Sequence, residues 1–260
     1  MKVAAYQAPL LRAGSLEAIE LIRERVKYCE SEGVEILCCP EAILGGLADY
    51  FPEPADFAMD VEGGQLATVL APLASSTVTT ILGFTEIAGN RLYNSAAVFQ
   101  NGTVVGLYRK LHPAINKSIY EPGDQIPVFT IGNLTFGILI CNDSNFIEPA
   151  RIMAAKGAAA LFVPTNNGLP ANRAHAKLVS QARKVDIARA LEYGVSVIRA
   201  DVSGTAGDLV SYGSSEIVDS DGVILQSAPL HTELLLVADI VSKRRPCLPR
   251  CAHSGSLANP

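Results

Sequence analysis

No apolar run in the 260 residues approaches the ~20 that a membrane-spanning helix needs; the most apolar stretches, residues 136–141, 158–163 and 234–238, have the length of buried strands. Charge is scarce too, at 18% of residues, which excludes the polar, self-repelling composition that keeps a chain unfolded. Basic residues are outnumbered 21 to 26, for a net charge of -5, so the clustered cationic surface that tracks nucleic acid is not expected. Six cysteines (Cys29, Cys38, Cys39, Cys141, Cys247 and Cys251) are too few to be a disulfide framework in a chain of this size, and free thiols are the expectation. Cys247, Cys251 and His253 lie close together, but their spacing is loose and no second pair accompanies them, so a loose tail is expected there and not a metal site. The first residues lack a long apolar stretch followed by a small-residue cleavage site, and the expected location is the cytoplasm.

What the chain does have is core material. Hydrophobic residues make up 49%, enough for one domain, expected over residues 1–242 with a tail at 243–260. Residues 2–6 alternate like a strand, Leu16, Ile19, Ile22, Val26 and Cys29 recur at helical steps, and residues 34–39 form an apolar run, so the opening reads strand, helix, strand. A right-handed crossover makes two such strands parallel neighbours. A helix over 64–75 leads to a strand over 78–85. Two hairpins are then predicted, one turning at Asn101-Gly102 and one at Gly132-Asn133. Pro149 suits the first turn of a helix reaching Lys156, Asn172 is placed to cap a long helix ending near Tyr193, and strands follow at 158–163, 195–200, 214–218, 223–226 and 234–240. The pattern predicts an α/β protein of mixed sheets flanked by helices.

Three predicted strand ends carry reactive side chains: Glu41 after 36–39, Lys110 after 104–108, and Cys141 closing 136–140. Singly each has an ordinary explanation, since a strand-end cysteine is usually a small buried hydrophobe and an acid or lysine beyond a strand is usually solvated. Together they form a chemical set. A thiol attacking an amide or nitrile carbon needs a base for its proton and a cation or N–H donor for the oxyanion.

The segments EILCCPEAILGG, GLYRKLHP and GILICNDSNFIEPAR, which carry these three residues, resemble the carbon–nitrogen hydrolases of the nitrilase superfamily in order and spacing. KVAAYQAP, LFVPTNN, ARALEYGVSVIRAD and YGSSEIVDSDGVIL extend the resemblance over residues 2–239. It implies a four-layer α-β-β-α sandwich with Glu41, Lys110 and Cys141 meeting at one end of the sheets. It also implies a mechanism without metal or organic cofactor: Glu41 takes the thiol proton, Lys110 and the backbone N–H of Asn142 stabilise the oxyanion, ammonia leaves, and Glu41 activates the water that hydrolyses the thioester. The partners implied are a small-molecule amide and further copies of the chain, stacked through outer helices into a homodimer or larger assembly; neither nucleic acid nor a membrane is among them.

Several positions depart from that pattern. Many members of the superfamily carry a second glutamate seven residues before the glycine that closes the loop after the lysine, and counting back from Gly123 gives Asn116. Glu121 is the nearby acid that could replace it. His112, two residues beyond Lys110, needs no Cys-His triad role and is expected to line the pocket, as is Asn166 of the TNN segment. Asp143, Glu148 and Arg151 are expected to be scaffold charges. True nitrilases tend to carry tryptophan directly after the nucleophile, whereas Asn142 stands here and the chain has no tryptophan at all. A linear amide is therefore the first substrate expected and an N-carbamoyl compound the second. The other classes considered are a non-catalytic binding protein and, more distantly, a redox sensor using Cys141 or the Cys38-Cys39 pair.

Overall fold

The computed structural model describes residues 1–12, 14–50, 53–114 and 118–241. In chain order the elements are β1 (Lys2–Pro9), α1 (Glu17–Glu32), β2 (Ile36–Cys38), β3 (Met59–Asp60), α2 (Gln65–Leu70), β4 (Thr79–Ala88), β5 (Arg91–Gln100) and β6 (Thr103–Arg109). Then come β7 (Phe129–Ile131), β8 (Leu134–Ile138), α3 (Ile147–Ala155), β9 (Ala160–Pro164), β10 (Leu169–Pro170) and α4 (Lys177–Tyr193). The last are β11 (Ser196–Ala200), β12 (Val202–Ala206), β13 (Leu209–Tyr212), β14 (Glu216–Val218), β15 (Ile224–Ser227) and β16 (Leu234–Asp239).

Two mixed sheets result. One runs β10-β13-β12-β1-β2-β4-β5-β6, with β16 added to β1 and β3 to β4; the other runs β15-β14-β11-β9-β8-β7. The period-two alternation of the strands explains why they become layers. In the first sheet Val3, Ala5, Ile36, Cys38, Ile81, Ala96 and Val98 pack in one core with Phe136, Ile138 and Phe162 of the second sheet. Their neighbours Ala4, Tyr6, Leu37, Cys39, Leu82, Ala97 and Phe99 face away, into a core with Ile22 and Val26 of α1 and Leu66 and Leu70 of α2. Helices α3 and α4 cover the second sheet. The order is helix, sheet, sheet, helix, the sandwich that the resemblance implies.

The alternation also places Cys38 and Cys39 in different cores, both fully buried, so the adjacent thiols point to opposite faces and are free. Asn101 and Gly102 both take positive φ, at 50° and 76°, and form the expected turn between β5 and β6. β1 and β2 are parallel neighbours, as the opening strand-helix-strand pattern requires.

Two local expectations are corrected, and one hairpin is added. Asn172 does not cap the long helix: residues 170–174 form a separate turn, and α4 begins at Lys177 with Ala176 at its N-cap. α2 stops at Leu70 and gives way to a 3-10 turn at Ala71–Leu73, where Pro72 sits. The hairpin β12–β13 went unpredicted, because its Ser, Gly and Thr residues carry little apolar alternation. The proposed tail at 243–260 lies outside the described residues, as do Cys247, Cys251 and His253.

One glycine controls how closely β4 approaches the segment after β2. A Cβ at Gly83 would stand 2.4 Å from the backbone nitrogen of Ala42 and 2.6 Å from the Cα of Glu41, with no flexible side chain to give way. Gly83→Ala is therefore expected to lower stability by about 1–3 kcal/mol, the usual cost of overpacking, with a loss of activity as the Glu41 backbone moves. Urea unfolding of wild type and variant checks this; equal midpoints would show that the contact relaxes freely.

Candidate active site

Parallel strands aligned in each sheet bring their C-terminal ends to one edge of the sandwich, the usual place for a site in an open α/β sheet. Glu41 stands three residues beyond β2, Lys110 directly follows β6, and Asn166 lies two residues past β9. Cys141 opens a 3-10 turn, Cys141–Asn145, just beyond β8. It takes a positive φ of 47°, an uncommon conformation for a residue with a Cβ, and this sharp turn brings the side chain to the cavity where strand gives way to helix.

Glu41 and Lys110 are 1% and 4% exposed, and Lys110 Nζ donates to Glu41 Oε1 at 2.6 Å. Asn94 Nδ2 donates to the same oxygen at 2.8 Å, and the backbone N–H of Asn166 to Oε2 at 2.9 Å. The sheet register explains two of these donors. Ser95 pairs with Arg109, so Asn94 and Lys110 stand opposite each other, and the Lys110 N–H bonds the Asn94 carbonyl at 2.8 Å. Both project on the inter-sheet side with Ala96 and Tyr108. Asn166 is tied back to the Glu41 segment, its Nδ2 donating to the Glu41 carbonyl at 3.3 Å.

Cys141 is half-buried and its side chain faces the cavity. Burial, and then the negative charge of Glu41, push the thiol up to about 12, against the opposing pull of Lys110 and Arg199. The surroundings thus favour the neutral form of the thiol, beside a carboxylate fixed by three donors. Burial works against the Lys110 charge, yet Glu41 and the other nearby groups outweigh it and raise its pKa, so the lysine stays cationic.

Asp143, fully buried, fastens the Cys141 turn to the segment after Lys110. Its carboxylate accepts from Tyr108 Oη at 2.8 Å, from the His112 N–H at 2.8 Å and from the Ile140 N–H at 3.2 Å. Burial raises its pKa while those donors hold the charged form. Beyond β11, Asp201 is likewise buried and held by Ser214 Oγ at 2.6 Å and by both nitrogens of Asn167, at 3.0 and 2.8 Å.

The cavity holds about 250 Å³ and suits a ligand of a few heavy atoms. Glu41, Asn94, Lys110, Cys141, Asn142 and Asn166 share its wall with Asp49, Tyr50, Arg173 and Arg199. A second, more apolar cavity of about 320 Å³ lies alongside, lined by Leu10, Ile43, Val202 and Leu209 among others. Leu47, Tyr50 and Asn166 line both.

Not every expected residue arrives there. Glu121 is exposed and absent from the cavity wall. Its neighbour Tyr120 turns inward, bonding Thr85 Oγ1 and the Ala48 N–H at 2.8 Å each, and alternation along the extended segment sends Glu121 outward. His112 also misses the cavity: its ring stacks on Phe146, with centroids 3.7 Å apart, and Pro113 and Ala114 line the wall in its place. Asn116 lies outside the described residues. Glu148 and Arg151 pair with each other on the surface of α3. Sequence reasoning missed Asn94 and Arg199, each visible as a polar residue interrupting an apolar strand. Among the described residues no group of three His, Cys, Asp or Glu side chains could hold a metal ion.

Comparison with known proteins agrees with this architecture. The family model for carbon–nitrogen hydrolases matches residues 2–246. A nitrilase of Pyrococcus abyssi is 32% identical over 83% of this chain and 80% of its own length. The human ω-amidase NIT2 is 28% identical over 84% and 81%. Glutamine-dependent NAD(+) synthetases also match, and the chain spans 38% of the length of the one from Thermotoga maritima. Among solved structures, a mutant of the Nesterenkonia AN1 amidase superposes with a TM-score of 0.78 at 24% identity, over 92% of this chain and 90% of the other, a likeness of fold.

The electrostatics of the thiol have a measurable sign. Glu41→Gln removes the negative charge that raises the Cys141 pKa and leaves Lys110 unneutralised, so the thiolate fraction at a fixed pH is expected to rise by about tenfold per pKa unit. Iodoacetamide alkylation of Cys141, followed by mass spectrometry, should accelerate accordingly; an unchanged or slower rate would contradict the coupling described.

Proposed function

The chain belongs to the carbon–nitrogen hydrolase family, and we propose that it hydrolyses a small linear amide through an acyl-thioester on Cys141, releasing ammonia and a carboxylic acid. The observation that carries this reading is the convergence of Glu41, Lys110 and Cys141, from three separate strand ends, on the wall of one cavity. Glu41 accepts the Sγ proton as sulfur attacks the amide carbon. The Lys110 ammonium and the Asn142 N–H stabilise the negative charge that forms on the carbonyl oxygen. The proton on Glu41 passes to the leaving nitrogen, the carbon–nitrogen bond breaks, and ammonia departs. Water then yields a proton to the freed carboxylate, its oxygen attacks the thioester carbon, and the thiol leaves reprotonated.

Amides come before nitriles in this reading because Asn142 follows the nucleophile and the chain has no tryptophan. N-carbamoyl compounds are the second reading, on the strength of the Cys141-Asn142-Asp143 triplet. Within the amides, the cavity wall favours an acyl group ending in a carboxylate. Lys110 is matched by Glu41 and Arg199 by Asp186, whereas Arg173 is exposed and its guanidinium makes no hydrogen bond or ion pair with the described residues. An unpaired guanidinium facing a small cavity suits a carboxylate. The ω-amides of dicarboxylic acids therefore stand first, in line with the likeness to an ω-amidase.

Ammonia release across aliphatic amides, ω-amides, N-carbamoyl amino acids and nitriles tests both levels. Turnover should be lost in Cys141→Ala, and Arg173→Met should raise KM for ω-amides about tenfold or more, the loss of one charged hydrogen bond, while sparing uncharged amides. A folded wild type silent on the whole panel would instead favour a binding protein. We further propose that protomers pair through their outer helices, where Ile147 and Leu191 are 57% and 53% exposed. Light scattering should give at least twice the 27.5 kDa chain mass, and a monomer at micromolar concentration would refute the pairing.

A further inference from the structure

Arg199 is the one charged residue of β11, whose five residues are all buried, and it is itself 2% exposed. Its guanidinium makes a bidentate contact with Asp186 of α4, with Nε at 2.6 Å from Oδ2 and Nη2 on Oδ1. Nη1 donates to Thr165 Oγ1 at 2.8 Å and Nη2 to Ser144 Oγ at 3.1 Å. Both hydroxyl residues lead to the site. Ser144 Oγ donates to the Cys141 carbonyl at 2.8 Å, and the Thr165 carbonyl accepts the Glu41 N–H at 3.3 Å. One side chain thus joins the nucleophile's turn, the segment carrying the base and the helix behind them.

Stability alone does not account for a charge here. A buried ion pair usually does no better than an apolar pair of the same volume, because desolvation cancels most of the attraction. The position of the charge offers a reason. Glu41, Lys110, Arg199 and Tyr50 share the cavity wall with Cys141, the charges acting on its thiol include those of Glu41, Lys110, Arg199 and Asp201, and the Lys110 charge is matched by Glu41 in the resting site. When Glu41 takes the thiol proton it becomes neutral, and Lys110 and Arg199 then both face the thiolate.

We propose that Arg199 is a positioning residue that holds the Cys141 turn to the Glu41 segment and supplies the site's second cation, with Asp186 as the counter-ion that sets how much of that charge the sulfur feels. Asp201, held by its own donors, opposes it. This rests on Cys141 being the nucleophile, but thiol reactivity is read without turnover, so a protein that hydrolyses none of the amides tried would leave the test standing.

The experiment is the rate of Cys141 alkylation by iodoacetamide in the full-length chain at one mildly alkaline pH, with the modified residue identified by mass spectrometry. Removing the pair in Arg199→Met/Asp186→Asn, a change buried ion pairs usually tolerate, should slow alkylation about tenfold, the effect of one pKa unit on the thiolate fraction. Asp186→Asn alone, which leaves the guanidinium uncompensated, should speed it by a similar factor. Arg199→Lys keeps the charge and should stay close to wild type. Ser144→Ala breaks the link to the Cys141 carbonyl and removes one hydrogen bond of the guanidinium while keeping both charges of the pair, and should lower amide turnover while leaving the alkylation rate in place. Equal rates in the double variant and Asp186→Asn, or a slowing by Ser144→Ala as large as that of the double variant, would overturn the electrostatic role.

Discussion

The carboxylate of Glu41, buried against the Lys110 ammonium, is the constraint on which the rest of the site depends. Two charges in an almost water-free place are tolerable only if each is satisfied at hydrogen-bonding distance, since the cost of leaving one unpaired is several kcal/mol. Lys110, Asn94 and the Asn166 N–H meet that demand from three different elements. Each donor must therefore arrive at its place as the fold forms. The antiparallel register of β5 on β6 delivers two of them as a cross-strand pair, and the absence of a side chain at Gly83 lets β4 close on the Glu41 backbone.

Around this pair the buried acids work as fasteners. Asp143 binds the Cys141 turn to the strand end that carries Lys110, and Asp201 fixes the loop after β9 through Asn167. Their pKa values are raised by burial, yet each is surrounded by donors, which is how a sandwich can keep acids within its layers without losing its geometry. The loops at the sheet ends are consequently parts of one network.

Much of this was legible in the sequence, for identifiable reasons. Glu41, Lys110 and Cys141 each follow a strand whose apolar pattern is strong, so their placement at strand ends could be read directly. The layer order was legible only through resemblance, because local alternation says which residues share a face but not which faces meet. Asn94 and Arg199 escaped notice because their roles depend on contacts between distant segments: the pairing of two strands for the first, and the packing of α4 on β11 for the second. The direction of Glu121 was not legible for a related reason. Which side of an irregular loop faces inward is decided by a single anchor, here Tyr120, and no periodicity announces it.

The wall between the two cavities gives the fold a latent property. Leu47, Tyr50 and Asn166 line both spaces, and of these Asn166 is the one hydrogen-bonded to Glu41. Shortening Tyr50 would join a small polar chamber to a larger apolar one while leaving Glu41, Lys110 and Cys141 in place. A ligand longer than the smaller cavity holds would then have the second one to extend into. The size of the accessible space is thus set by a partition made largely of residues other than Glu41, Lys110 and Cys141.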